Sequence, residues 1–207
     1  MKTLCVFCGS NAGRKSEYLA AAEAVGTALA RRGIGLVYGA GNIGLMGALA
    51  DACLAAGGEV VGIIPQGLMG KEVAGRPVDH RTLTRVEVVD SMHTRKARMA
   101  ALSDGFIALP GGFGTFEELC EILTWNQLGF QAKPVGILNV AGFFDPLLAL
   151  FDRAVEEGFL RPENREIALV DTDIDRLLER MSAYHPEPVT KWLSSAQEVF
   201  GQSGDPT

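Results

Sequence analysis

No stretch of the 207-residue chain approaches the ~20 consecutive apolar residues of a membrane span. The opening "MKTLCVFCGS" carries one early positive charge and only a six-residue apolar run, shorter than the core of a secretory signal. The expectation is a soluble cytoplasmic protein. An excess of positive charge is also missing: Lys and Arg number 19 against 25 Asp and Glu, for a net charge of −6. That balance excludes a nucleic-acid partner for the molecule as a whole, although Arg95, Lys96 and Arg98 together could hold a small anion. Cysteine is sparse, with 4 in the chain. Cys5 and Cys8 form a CxxC, but zinc sites need a second pair and redox pairs sit at helix starts. Here the motif lies in a strand-like run, where an odd offset sends the two side chains to opposite faces. Free thiols are expected, buried or half-buried, with no metal and no cofactor. Internal repeats and low-complexity tracts are absent as well.

The chain is 47% hydrophobic and 21% charged, a globular composition with ample material for one core. Short apolar runs alternate with segments of helical period. The runs are 3–8, 34–39, 59–65, 84–89, 105–110, 134–140 and 166–170. Helices are expected at 16–32, 45–56, 91–102, from the glycine loop to 127, through 151 to 157, and over 173–181. Continuous apolar runs describe parallel strands covered on both faces. Their alternation with helices implies a single-domain, doubly wound, Rossmann-like α/β parallel sheet with helices on both faces. This nucleotide-binding unit would span 1–183. A polar, glycine-containing stretch interrupts the pattern up to about residue 81, and 184–207 forms a tail with a short helix near Lys191–Phe200.

Ligands in such sheets bind beyond the carboxyl ends of the strands, and three strands end in glycine turns: "CGS" (8–10), "YGAGNIGLMG" (38–47) and "PGGFGT" (110–115). The second contains Gly39, Gly41 and Gly44 as a formal GxGxxG. A dinucleotide site needs an acid at the far end of the next strand, and that strand ends instead in Pro65-Gln66. The third turn suits a phosphate at a helix N-terminus. No lysine follows its glycines, so a monophosphate fits better than a nucleoside triphosphate. A tight turn with no ligand is the bland alternative.

Two further clusters flank these turns. Thr115-Phe116-Glu117-Glu118 reads as a capping box, with Glu118 reaching back to the Thr115 backbone. It equally reads as a carboxylate beside a phosphate loop, in the first helical turn, where the dipole favours the ionised form. In "DSMHTRKARM" (90–99), Asp90 or Ser91 can cap a helix on which Met92, Arg95 and Met99 share a face. A buried arginine there calls for an anionic partner. Lys96 and Arg98 read equally as solvated charges.

Taken together these segments resemble the LOG ("Lonely guy") family, whose members are often labelled possible lysine decarboxylases. "PGGFGTFEE" matches PGGxGTxxE, "SMHTRKARM" matches the arginine–lysine helix, and "CGS", "LVYGAGNIGLMG" and "GGEVVGIIP" follow in the family's order, from about Lys2 to Ala183. Ala40 departs from the glycine common among relatives. The resemblance implies a cytokinin riboside 5′-monophosphate phosphoribohydrolase, which splits an N6-modified adenosine monophosphate into free base and ribose 5-phosphate, often accepting AMP too. It implies Arg95 and Glu118 as the catalytic pair. Gly111, Gly112, Gly114 and Thr115 would hold the phosphate, with Gly9, Ser10, Gly41, Met92 and Lys96 completing the nucleotide site. It further implies a homodimer with sites near the subunit interface. Decarboxylases usually carry pyridoxal phosphate on a lysine, and none of the six lysines stands in a recognisable cofactor motif. A non-catalytic nucleotide carrier on the same fold is the alternative.

Overall fold

The computed structural model describes residues 1–69 and 83–185. The expected polar stretch up to residue 81 falls largely outside them, as does the helix near Lys191–Phe200.

The chain alternates strand and helix: β1 (Thr3–Phe7), α1 (Ser16–Arg31), β2 (Gly35–Tyr38), α2 (Gly44–Ala55), β3 (Val60–Pro65), β4 (Arg85–Val89), α3 (Met92–Leu102), β5 (Gly105–Ala108), α4 (Phe113–Gln127), β6 (Val135–Leu138), α5 (Asp145–Glu156), α6 (Pro162–Arg165), β7 (Ala168–Asp171) and α7 (Ile174–Ser182). The strands form one sheet in the order β4-β3-β2-β1-β5-β6-β7, and every pairing is parallel. The inner strands β5 and β6 are buried along their whole length, so apolar side chains are needed on both faces. The edge strand β4 has only exposed and half-buried positions, and its Glu87 accepts from Arg98 Nη2 of α3 at 3.0 Å.

The core divides into two clusters, one on each face. One joins α1, α2 and α7 through residues such as Val25, Leu49 and Leu177. The other joins α3 and α4 through Met99, Leu119 and Ile122. Cys5 packs in the second cluster and Cys8 in the first, the opposite-face placement expected from their offset. All four cysteines are free thiols. Cys120 is exposed rather than half-buried, because it lies on the solvent side of α4. Among the described residues no helix is long and apolar enough to cross a membrane.

After β1 the chain builds outward through β2, β3 and β4, then crosses back to lay β5 on the other side of β1. The loops leaving β1 and β5 therefore diverge, and a crevice opens between their carboxyl ends. Close contact of α1 with α2 supports one wall of it. A Cβ on Gly26 of α1 would lie 2.3 Å from the Leu49 carbonyl oxygen and 2.9 Å from the Cys53 nitrogen. Gly26→Ala must therefore push the helices apart. It is expected to lower stability by about 1–3 kcal/mol despite alanine's better helix propensity, read as a reduced midpoint in urea denaturation. A midpoint equal to the parent's would show that the two helices are not locked at this point.

Candidate active site

The crevice is organised by backbone bonds. Gly9 N donates to the Pro110 oxygen at 3.0 Å, joining the β1 and β5 loops. The Gly9 oxygen in turn accepts from the backbone nitrogens of Leu45 and Met46 at 3.1 and 3.3 Å. A protein carbonyl thus occupies the N-terminus of α2, where a dinucleotide pyrophosphate would have to sit. The GxGxxG has a packing explanation instead. Gly44 has φ +60°, and a Cβ there would lie 2.4 Å from Ser10 backbone atoms. Ala40, between Gly39 and Gly41, has φ +57°, a left-handed conformation that costs an L-residue roughly 1–2 kcal/mol.

The N-terminus of α4 is different. Its N-cap is Gly112, with no side-chain cap bond, which corrects the expected capping box. The helix begins at Phe113, so Thr115 is already inside it and buried, and Glu118 is the sixth helical residue rather than a first-turn one. Three glycines do two jobs here. A Cβ on Gly111 would lie 2.1 Å from Thr115 Oγ1, so that glycine serves the fold. At Gly112 and Gly114 an added Cβ would meet nothing within 4 Å. Nothing within the protein excludes a side chain at those two positions, and no side chain caps the first turn, the arrangement in which a helix N-terminus can take an anion.

Helix α3 starts from Ser91, whose hydroxyl accepts the Thr94 N–H at 3.1 Å, as expected. Met92, Arg95 and Met99 share a face and line the cleft. Arg95 is only 9% exposed. Its Nη2 donates to the Gly39 oxygen at 3.2 Å, its Nη1 lies 3.8 Å from the Met92 sulfur, and its Nε has no hydrogen-bond partner. Among the described residues no carboxylate lies within ion-pair distance of this guanidinium. A buried cation in that state is primed for an anionic or polar ligand. Gly39 makes the seat: a Cβ there would lie 1.6 Å from Arg95 Nη2.

These elements enclose a cleft of about 310 Å³, within the range of small-ligand sites. Of the residues expected at the site, it brings together Gly9, Ser10, Met92, Arg95, Gly112, Gly114, Thr115 and Glu118. Gly111 lines an adjoining pocket with Tyr18 and Phe143, and Gly41 packs on the Met46 side chain. Lys96 is not among the lining residues; it pairs with Glu117 and, at 2.9 Å, with Glu121. The cleft also takes in residues not expected there, Gly39, Met46, Phe113 and Glu117. Gly39 was legible as a glycine left without a role once the dinucleotide motif failed its own check. Met46 and Phe113 gave no signal beyond lying next to the glycine turns.

Burial pushes the Glu118 carboxyl up to about 7, with Glu117 and Glu121 adding to the rise and Arg95 and Lys96 opposing it. This corrects the expectation of an ionised first-turn carboxylate: desolvation outweighs the helix dipole at this depth. Burial also raises the neighbouring Cys8 thiol far above its ordinary value, which leaves that sulfur protonated.

Fold and site thus define a doubly wound α/β protein whose cleft brings together a helix N-terminus without a side-chain cap, a buried arginine and a carboxyl group. The family model described as "Possible lysine decarboxylase" matches residues 46–181. The chain is 50% identical to the probable cytokinin riboside 5′-monophosphate phosphoribohydrolase LOGL1 of Oryza sativa subsp. japonica, over 93% of this chain and 86% of that protein. It is 48% identical to the cytokinin riboside 5′-monophosphate phosphoribohydrolase LOG1 of Arabidopsis thaliana, over 98% and 93% of the two chains. The chain belongs to this LOG family. A molybdenum cofactor carrier protein from Chlamydomonas reinhardtii shares the fold, with a TM-score of 0.64 at 20% identity over 88% of this chain and 98% of that one. At that identity the likeness is one of fold alone.

The raised Glu118 has a consequence for stability. A carboxyl that titrates near 7 when folded and near 4.3 when unfolded keeps its proton in the native state and loses it first in the unfolded one. Its contribution to stability is full below pH 4 and is lost as pH rises through 7. Glu118→Gln removes that loss. At pH 8 the variant is expected to be more stable than the parent by on the order of 1–3 kcal/mol, with the gain disappearing near pH 4. Denaturation at the two pH values measures it, and an equal or lower stability at pH 8 contradicts the burial argument.

Proposed function

We propose that the chain hydrolyses the N-glycosidic bond of N6-modified adenosine 5′-monophosphates, and of AMP, to free base and ribose 5-phosphate. The observation that carries the reading is the convergence, in one cleft, of the open α4 N-terminus with Arg95 and a carboxyl poised near neutrality. In this reading the 5′-phosphate lies on the N–H groups after Gly112, and its binding energy positions the reacting bond. The sugar acquires oxocarbenium character as the C1′–N9 bond breaks, and its electron pair leaves with the purine. The Glu118 carboxylate takes a proton from the water whose oxygen bonds to C1′, a base matched to its working pH. The departing purine takes up a proton, and the protonated Glu118 is a group in the cleft able to return one. Arg95 stays charged throughout and holds the nucleotide by donated hydrogen bonds.

The thioether and aromatic surfaces of Met46, Met92, Met99 and Phe113 suit a purine and its N6 substituent. In this reading residues 1–183 form the catalytic unit. A cytoplasmic homodimer belongs to the same reading, supported by Phe113 and Met92 standing 92% and 45% exposed at the cleft. The decarboxylase description fits less well. A pyridoxal enzyme needs a lysine at its cofactor, and among the described residues none lines the cleft.

The reading is tested by incubating the protein with AMP, isopentenyladenosine monophosphate and the matching nucleosides, and separating free base by chromatography. Monophosphates are expected to be cleaved far better than nucleosides, with kcat/KM rising through about pH 7 as Glu118 ionises. Glu118→Gln is expected to lose roughly 10²–10⁴-fold in kcat. Equal turnover of adenosine and AMP would remove the phosphate assignment, and a folded Gln variant at the parent rate would remove Glu118 from the chemistry.

A further inference from the structure

Lys96 and Glu117 are the sequence neighbours of Arg95 and Glu118, and they bind each other. Successive helical residues point about 100° apart, so α3 can aim Arg95 into the cleft and Lys96 at α4. The Lys96 side chain is only 11% exposed, an unfavourable place for an ammonium unless it is paired. It pairs twice, with Glu117 and with Glu121 at 2.9 Å. Without it, Glu117 and Glu118 on the wall of a cleft read as a site for a phosphate dianion, and Glu121 one turn further along α4, would stand without an ammonium beside them. Glu117 itself lines that cleft.

We propose that Lys96 is a positioning residue rather than a phosphate ligand: it ties the Arg95 helix to the Glu118 helix and cancels the charge of Glu117 and Glu121, so that an anionic nucleotide can enter. This rests on the reading of the cleft as a nucleotide hydrolase site. The charged groups that act on Glu118 are Arg95 and Lys96 from α3 and Glu117 and Glu121 from α4; Cys5 of β1 and Cys8 just beyond it face Glu118 as thiols, which its charge and their burial raise. Both cations hold its titration down and both carboxylates push it up. Removing Lys96 therefore leaves Glu117 and Glu121 without their ion-pair partner beside the base.

The test compares the full chain with Lys96→Met, Lys96→Arg and the triple variant Lys96→Met/Glu117→Gln/Glu121→Gln. It reads KM and kcat for AMP against pH, and the Glu118 carboxyl titration by carbon-13 NMR, assigned with Glu118→Gln. Lys96→Met is expected to raise KM roughly 10-fold and to move the acid limb and the Glu118 titration up by about one pH unit. Lys96→Arg is expected to stay near the parent, and the triple variant to return both KM and titration toward it. If Lys96 bound phosphate directly, the triple variant would keep the high KM. If it served only folding, Lys96→Met would lower the melting temperature and leave the limb in place. Either result overturns the proposal. A parent chain that releases no base would defeat the hydrolase reading instead. The NMR titration would still decide the charge argument, since an unmoved Glu118 in Lys96→Met overturns it without any turnover.

Discussion

The seating of the Arg95 guanidinium against the Gly39 carbonyl is the contact on which the rest of the site depends. It places a permanent positive charge at the carboxyl end of β2 with its Nε lacking a partner. A cation buried this deeply is costly, and the surroundings offset only part of that cost through one backbone carbonyl and a soft sulfur. Several features of the neighbourhood follow from accommodating it. Gly39 must lack a side chain, the methionines of α2 and α3 supply adaptable surface, and Glu118 sits deep enough to keep its proton near neutrality while the arginine draws it the other way.

Charge in this protein is arranged by helix rather than by region. The net charge of −6 says little about the cleft, because the carboxylates of α4 that could repel an anion are matched by a lysine one residue along α3 from the arginine. The two helix N-termini at the crevice divide their tasks in the same way. The N-terminus of α2 is closed by the Gly9 carbonyl and builds the fold. The α4 terminus, capped by a glycine with no side chain, receives no such cap from the protein's side chains.

The alternation of strands and helices was legible because both faces of the sheet are covered, so each inner strand is an uninterrupted apolar run. Helix α6 was not, since four residues starting at Pro162 cannot display a helical period. At the site, the cleft residues of the glycine loop and of α3 were readable as types and spacings. What failed was the start of α4 and the depth of Glu118. Thr115-x-x-Glu118 imitates a capping box, but the helix begins inside the glycine run and buries Thr115. Local sequence carries the dipole argument for an ionised Glu118 and not the desolvation that outweighs it. Adjacency to Arg95 placed Lys96 at the anion site; its pairing with Glu117 and Glu121 of α4 needs the tertiary fold and could not be read locally.

The most direct measurement of the account is a double-mutant cycle between Gly39→Ala and Arg95→Ala on AMP hydrolysis, with folding checked by circular dichroism. A methyl group at residue 39 would occupy the position of Arg95 Nη2, so the guanidinium has to leave its seat. Gly39→Ala is expected to fold, to lose activity to the level of Arg95→Ala, and to add no further loss in the double variant. A folded Gly39→Ala protein that hydrolyses AMP at the parent rate would contradict it.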